Sequence, residues 1–427
     1  MLLTFTIISV LTAILFLVLA LRTRVFIKSI IMLRDLPEKL PASQRNGLWP
    51  KVSIVVPACN ESATIESAAE SLLALDYPNL EVVFVDDRST DRTGEIIERI
   101  ATRDSRFKTV HITSLPSGWL GKTHAMSKGI EAISGEFILL TDADVHFAPR
   151  ALRKAVGYTI ENQLDFLTVI PDLIARSFSL QVMMGQLYHL ASLFFDIRRL
   201  NDPRKKVCYG QGAFLLVRQK IYARSEGLEW IKMDVIDDSG LALTMRRAGA
   251  KMGAVAGRDE ISLEWYPSLR TMIRGLEKNG FALCQYSLAV ILGVMAVTTA
   301  VGAALWVFPF LTKSPLVIGF TFLSLIIYLI IVARQLHLLM PIRRSSIVFM
   351  SVAFIFLPLI FLRAGILAKI RRGIYWRGTF YSLTDLKYNQ RMKFVNLIFP
   401  EQSPTPSTAP ASTPPSTTPA ETVETLS

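Results

Sequence analysis

Hydrophobic positions along the 427-residue chain are grouped rather than scattered. Leu2–Leu21 is an uncharged apolar run, long enough to cross the ~30 Å hydrocarbon core of a bilayer. Three more such stretches follow, at Leu288–Leu311, Pro315–Val332 and Ser346–Leu362. Between the first and second, short apolar runs alternate with amphipathic ones. The runs predict strands over Val52–Pro57, Leu80–Val85, Phe107–Ile112, Phe137–Leu140, Phe166–Ile170 and Ala213–Val217. Thr64–Leu75 places Ile65, Ala69, Leu72 and Leu73 on one helical face, and Asp91 can cap a helix that buries Ile96, Ile97 and Ile100. Thr123–Ala132 reads as a further helix. Strand–helix alternation implies an α/β fold, a mostly parallel sheet with helices on both faces. Ligands of such sheets bind beyond the carboxyl ends of the strands. Three polar clusters, Ala58–Ser62, Asp86–Asp91 and Asp142–Asp144, fall there.

Charge changes the picture at the membrane. The chain is 51% hydrophobic with a formal net charge of +12, and its Arg and Lys sit beside the apolar runs. That pattern fits a cytoplasmic membrane face and not nucleic acid. Arg22, Arg24, Lys28 and Arg34 follow the first run, with no basic segment before it and no small-x-small cleavage site after it. An anchor is therefore expected, with the N-terminus outside and the middle domain cytoplasmic, in a multi-pass protein of the cell (inner) membrane. Four crossings would leave the chain beyond Leu362 outside, yet Arg363, Lys369, Arg371, Arg372 and Arg377 demand the inside. One stretch is then re-entrant or lies flat, and Pro358 marks the last as a candidate for breaking. Pro267–Tyr286 and Ala364–Tyr381 mix basic with apolar or aromatic residues and suit a headgroup surface; the first could equally pack on the soluble domain. Residues 401–427, rich in Pro, Thr and Ser, read as a disordered tail. The expected divisions are 1–50 (anchor and basic linker), 51–266 (catalytic domain), 267–390 (interfacial helices and membrane region) and 391–427 (tail).

The candidate chemistry is carboxylate chemistry. Cys59, Cys208 and Cys284 are odd in number and widely spaced, which excludes a disulfide framework, and no pair has zinc-ligand spacing. Cys59 is expected to pack as a small hydrophobe, and His124 and His146 to serve as local hydrogen-bonding groups. Asp142 and Asp144 emerge directly from a buried strand, and extended backbone puts i and i+2 on one side. Two carboxylates so placed repel unless a hard divalent cation, Mg²⁺ or Mn²⁺, lies near them, with a diphosphate supplying further ligands. Asp87 could accept from a base or ribose, or cap its own loop. Asp237 and Asp238 open a helix, where acids are favoured by the dipole, and either could serve as a general base.

Four segments resemble, in order and spacing, the GT-A family 2 inverting glycosyltransferases: Val52–Glu61 (VSIVVPACNE), Val83–Asp91 (VFVDDRSTD), Leu139–Asp144 (LLTDAD) and Asp237–Leu241 (DDSGL). Leu115–Lys122 (LPSGWLGK) and the single N-terminal anchor further resemble a lipid-acting subgroup that includes ceramide glucosyltransferases, carotenoid glycosyltransferases and hopanoid-associated transferases. The resemblance implies a Rossmann-like GT-A domain, a nucleotide-sugar donor (a UDP-sugar first), a lipid acceptor and a divalent metal. It places Pro57, Asn60, Glu61 and Asp87 at the nucleoside and Lys122 near the nucleotide. It places Asp142 at the ribose or metal and Asp144 on the metal. Gly210-Gln211-Gly212 would flank the acceptor, with Asp238 as base beside Asp237. The Gln-x-x-Arg-Trp motif of processive synthases is absent, which favours single transfers over polymerisation and leaves Arg274 as the nearest diphosphate partner. A polysaccharide synthase would need a channel of more packed spans. A non-catalytic scaffold would tolerate loss of the Asp set, whereas Asp87, Asp142, Asp144 and Asp238 are all present.

Overall fold

A computed structural model describes residues 1–42, 47–194, 200, 202 and 207–393. The tail expected at 401–427 lies outside them. After the long N-terminal helix α1 (Leu2–Ser29), the chain enters a sheet through β1 (Val52–Ala58), buried at every position. Full burial of a Val/Ile run requires a strand covered on both faces and paired on both edges. Its neighbours are β2 (Leu80–Asp87) and β4 (Phe137–Leu140), both parallel to it.

The seven-stranded sheet has the order β3-β2-β1-β4-β8-β6-β9, with β3 at Phe107–Ile112, β6 at Phe166–Ile170, β8 at Leu215–Arg218 and β9 at Met252–Ala256. Only β8 runs antiparallel to its neighbours, so the expected mostly parallel sheet holds. The strand expected at Ala213 starts two residues later. Three short strands, β5 (Val145–Phe147), β7 (Asp172–Leu173) and β10 (Ile261–Leu263), form a second small sheet beyond the β4 carboxylates. Their length, two or three residues, gives no periodicity to read.

Helices α2 (Ile65–Leu73), α3 (Thr93–Arg103), α4 (Gly121–Glu131) and α5 (Ala151–Glu161) cover the sheet. Helix α4 begins two residues earlier than its apolar pattern suggested, which puts Lys122 in its first turn. It lies very close on the strands. A Cβ on Gly129 would fall 2.2 Å from Val55 Cγ1 and 2.9 Å from Val85 Cγ2.

Beyond β7 come α6 (Phe178–Phe194), α7 (Asp237–Arg247) and α8 (Leu269–Leu283). One face of the Pro267–Tyr286 segment packs on protein, against the apolar helix that carries Phe361. Met272, Leu276, Gly280 and Phe281 are buried, and a Cβ on Gly280 would sit 2.9 Å from Phe361. Next are α9 (Leu288–Trp306), which stops short of the expected Leu311 where Pro309 starts a new turn, α10 (Pro315–Leu339) and α11 (Ala353–Arg371). With α1, these supply, among the described residues, four helices long and apolar enough to cross a membrane, Arg344–Arg371 counting as one.

The packing of the apolar helices bears on the parity conflict. The ring of Phe5, at the start of α1, lies 4.5 Å from that of Phe308, so the N-terminus and the α9–α10 turn share one end of the bundle. At the other end, Met32 bridges to Ala256 of the sheet. The fourth stretch begins near the sheet too: Arg343 N and Ser346 Oγ donate to Gln181 Oε1 of α6 at 3.2 and 2.8 Å. Its middle reaches the level of mid-α1, where the Phe354 ring is 6.2 Å from Phe16 and 5.7 Å from Tyr328. It then returns, and Arg371 donates to Glu277 of α8 at 3.0 Å. Both ends of Arg344–Arg371 therefore contact helices that lie beside the sheet, α6 at one end and α8 at the other. The helix continues through Pro358, and the irregularity is a 3₁₀ turn at Met350–Val352.

Ala364–Tyr381 is likewise not one interfacial element. Helix α11 ends at Arg371 in a left-handed residue, Arg372, and the chain turns into a hairpin, β11 (Gly373–Trp376) and β12 (Thr379–Ser382), that lies on the catalytic domain.

Candidate active site

The carboxyl ends of β1, β2 and β4 converge on one pocket of about 350 Å³. Pro57, Glu61, Asp87, Lys122, Asp142 and Asp144 all line it. Asn60 is the exception among the expected nucleoside residues. Its φ is +55°, and its Oδ1 accepts from Thr90 N at 2.8 Å, tying the β1 and β2 loops together. Asp87 is buried, and Arg88 donates to its two oxygens at 2.7 and 3.0 Å.

Lys122 occupies the centre. Its ammonium is 2.7 Å from Asp142 Oδ1 and 3.0 Å from Asp237 Oδ2. Burial opposes its charge, but the carboxylates of Asp142 and Asp237 prevail and hold the ammonium protonated. Asp142, held by Lys122 against the cost of burial, stays below the usual carboxylate range. Asp144 is pushed the other way, to about 7, by burial and then by the charges of Asp142 and Glu61. Excess negative charge is thus concentrated at Asp144, which a divalent cation would relieve. Among the described residues no three His, Cys, Asp or Glu side chains converge as a complete metal cage. The two carboxylates of Asp144 and Asp142 are hard oxygen donors of the kind a divalent cation would take.

Asp238 lies behind this group. Ser239 N donates to its Oδ1 at 2.6 Å and Gly212 N to its Oδ2 at 3.3 Å. Burial, with Asp237 beside it, raises its carboxyl to about 7, a value suited to a base near neutral pH. The Gly210-Gln211-Gly212 loop passes between the two acidic groups. A Cβ on Gly212 would meet Asp142 Oδ2 at 2.8 Å, and one on Gly210 would meet the Asp238 carbonyl at 2.3 Å. Only glycine lets the backbone through. Gln211 itself donates to Tyr209.

Arg274 does not line this pocket. It lines a neighbouring cavity of about 270 Å³ with Arg371, Lys278, Trp376 and Arg377. Besides Lys122, the cations that line the carboxylate pocket are Lys278 and Arg377, which the sequence pattern did not single out for it. Lys278 lies one turn beyond Arg274 on α8, so helical spacing alone could have found it. Arg377 sits at the hairpin tip, where it binds Glu61 and the Cys59 carbonyl. Cys59 is buried, as expected of a packing residue, and Cys208 and Cys284 are free and buried too. His146 meets Ser67 Oγ at 3.2 Å, whereas His124 is buried against Trp119, and its Nδ1 has no partner among the described residues.

Comparison with known proteins agrees with this geometry. Residues 53–225 match the model for glycosyl transferase family 2. The chain is 31% identical over 244 residues to a β-monoglucosyldiacylglycerol synthase of Synechocystis sp., covering 56% of this chain and 50% of that one. It is 33% identical over 118 residues to the uncharacterized glycosyltransferase EpsJ of Bacillus subtilis, covering 28% and 33%. The chain thus spans half or less of the length of these relatives. Among solved structures, the mannosyltransferase PcManGT of Pyrobaculum calidifontis, in complex with GDP-Man and Mn²⁺, superposes with a TM-score of 0.50 at 16% identity, covering 86% of this chain and 99% of that one. The fold is GT-A-like, and residues 53–225 are similar to the family 2 glycosyl transferases.

Proposed function

We propose that this protein is an inverting glycosyltransferase that moves one sugar from a nucleotide-diphospho-sugar to the hydroxyl of a lipid-like acceptor at the cytoplasmic face of the cell membrane. The observation that carries the reading is helix α8, which borders two different environments. Gly275, Lys278 and Asn279 line the carboxylate pocket, while Leu269 and Ile273 line an apolar groove of about 480 Å³. The groove's other walls are Val182 and Met183 of α6 and Phe356 and Ile360 of α11. An acyl or isoprenoid chain suits that lining, and its polar head would then reach the carboxylates. The likeness to a β-monoglucosyldiacylglycerol synthase supports a lipid acceptor. The basic residues Arg22, Arg24 and Lys28, with Arg363 and Arg371 at the far end, support a cytoplasmic catalytic face.

Asp238 takes the proton of the acceptor hydroxyl as its oxygen forms a bond to the anomeric carbon. The bond from that carbon to the diphosphate breaks on the opposite face, so the configuration inverts. Lys122 pairs with Asp142 and Asp237 and fixes both side chains. Lys278 and Arg377 face the leaving diphosphate. Asp144 and Asp142 would hold a divalent ion, which would supply further neutralisation of that charge. Asp87 and Pro57 shape the nucleoside end, for which UDP is the first candidate.

The test uses detergent-purified protein with labelled UDP- and GDP-sugars, Mn²⁺ and a total lipid extract. Label is expected in the organic phase with one donor class. No transfer from any donor, or label only in a water-soluble polymer, would rule the reading out.

A further inference from the structure

The β11–β12 hairpin has more bonds to the catalytic loops than a surface ornament requires. Tyr381 Oη accepts from Gly121 N at 3.1 Å, at the start of the helix that carries Lys122. Arg88, which holds Asp87, donates to Thr379 Oγ1 at 3.3 Å. Arg377 binds the Cys59 carbonyl and the Glu61 carboxylate. The hairpin therefore touches the ends of β1 and β2 and the head of α4, the three elements that shape the nucleotide pocket. Two of its residues, Trp376 and Arg377, are part of the pocket wall.

The turn itself is unusual. The register pairs Trp376 with Thr379, leaving a two-residue loop of Arg377 and Gly378 with φ of +49° and +79°. Such loops require left-handed backbone at both positions and favour Asn-Gly or Gly-Gly. An Arg there costs about 1–2 kcal/mol, so its side chain must contribute something that Asn would not. Meanwhile Lys278 Nζ stands 4.1 Å from the Trp376 ring centre, held by cation–π attraction. Lys122 is committed to Asp142 and Asp237. Lys278 and Arg377 are the pocket cations placed to meet a new anion.

We propose that this hairpin belongs to the donor site, with Arg377 exchanging Glu61 for the diphosphate of the nucleotide-sugar and Trp376 holding Lys278 beside it. The inference rests on the glycosyltransferase reading above. Exchange is feasible because the Arg377–Glu61 pair is half open, its side chains 38% and 21% exposed, and such pairs are worth little. A planar guanidinium suits two phosphate oxygens at once. The role left without a residue by the missing Gln-x-x-Arg-Trp motif is thereby filled from the opposite end of the membrane region. The same contact ties the end of α11 to donor occupancy, since only Arg372 separates that helix from β11.

The experiment is titration calorimetry of the full chain in detergent with Mn²⁺, using UDP, UMP, GDP and GMP. For the nucleoside that binds, Arg377→Ala should weaken the diphosphate about ten- to a hundredfold, the range of a charge-assisted hydrogen-bonded pair, and the monophosphate by under about threefold. Arg377→Lys should fall between, and Arg377→Gln should match Arg377→Ala if the charge is what matters. Comparable melting temperatures for the variants identify a binding effect. Equal losses for both nucleotides, or no loss, would overturn the hairpin's role while leaving the transferase reading intact. Failure of the unsubstituted protein to bind any of the four would overturn both.

Discussion

Lys122 Nζ lies 2.7 Å from Asp142 Oδ1 and, on its other side, reaches Asp237, so one ammonium joins the carboxylate expected at the metal to the acidic pair expected at the base. Removing it leaves two largely enclosed carboxylates facing one another. Lys122→Met should lower kcat/KM about a hundredfold or more, an effect of the size seen when one preorganised electrostatic group is lost. Initial rates at limiting donor measure it. A loss under threefold would mean that Lys122 serves packing alone.

Metal dependence should track Asp144 more closely than Asp142. Asp142 already has Lys122 as a cationic partner, whereas the charge on Asp144 is opposed by burial, Asp142 and Glu61. Chelation should abolish transfer, and Mn²⁺ or Mg²⁺ should restore it. Asp144→Asn should raise the Mn²⁺ concentration for half-activity by about tenfold or more, the loss expected when one charged ligand goes. A Mn²⁺ titration of activity measures the shift.

The pH profile of kcat/KM should be a bell. Asp238 accepts a proton only when ionised, and burial with Asp237 places its carboxyl at about 7, so activity rises with pH through that value. Lys278 meets the diphosphate only when charged. Burial, with Lys122 and Arg377 nearby, lowers its ammonium to about 8, so activity falls as pH passes that value. Lys278→Arg, whose guanidinium stays charged, should remove the alkaline limb and leave the acid limb in place.

Two glycines should separate stability from catalysis. Gly129→Val drives a branched side chain into Val55 and Val85, and overpacking of this kind costs about 1–3 kcal/mol; a lower melting temperature in detergent measures it. Gly212→Ala places its Cβ 2.8 Å from Asp142 and 3.4 Å from the Lys122 ammonium. It should reduce kcat with little change in melting temperature.

The central sheet was legible because β1, β2 and β4 are buried on both faces, and that condition writes a continuous Val/Ile/Leu run into the chain. The Asp142–Asp144 pair followed from its position at the end of such a run. Arg377 was not legible in the same way. It lies 316 positions from its partner Glu61, at the tip of a hairpin whose strands have only four residues each. Basic and aromatic residues beside an apolar helix read as a headgroup surface, and nothing local distinguishes that from a lid on a nucleotide pocket. Parity was hidden for a related reason. Apolar length does not say whether a helix leaves by the side it entered, and the contacts at its two ends, Arg343 with Gln181 and Arg371 with Glu277, arise only in three dimensions.

Transfer of one sugar to a lipid is most directly tested by mass spectrometry of total lipids from one host expressing either the unsubstituted chain or Asp238→Asn at equal levels. The expected result is a lipid class heavier by a single sugar residue, present with the unsubstituted chain and absent with Asp238→Asn. Identical lipid profiles, or a ladder of several added sugars, would contradict it.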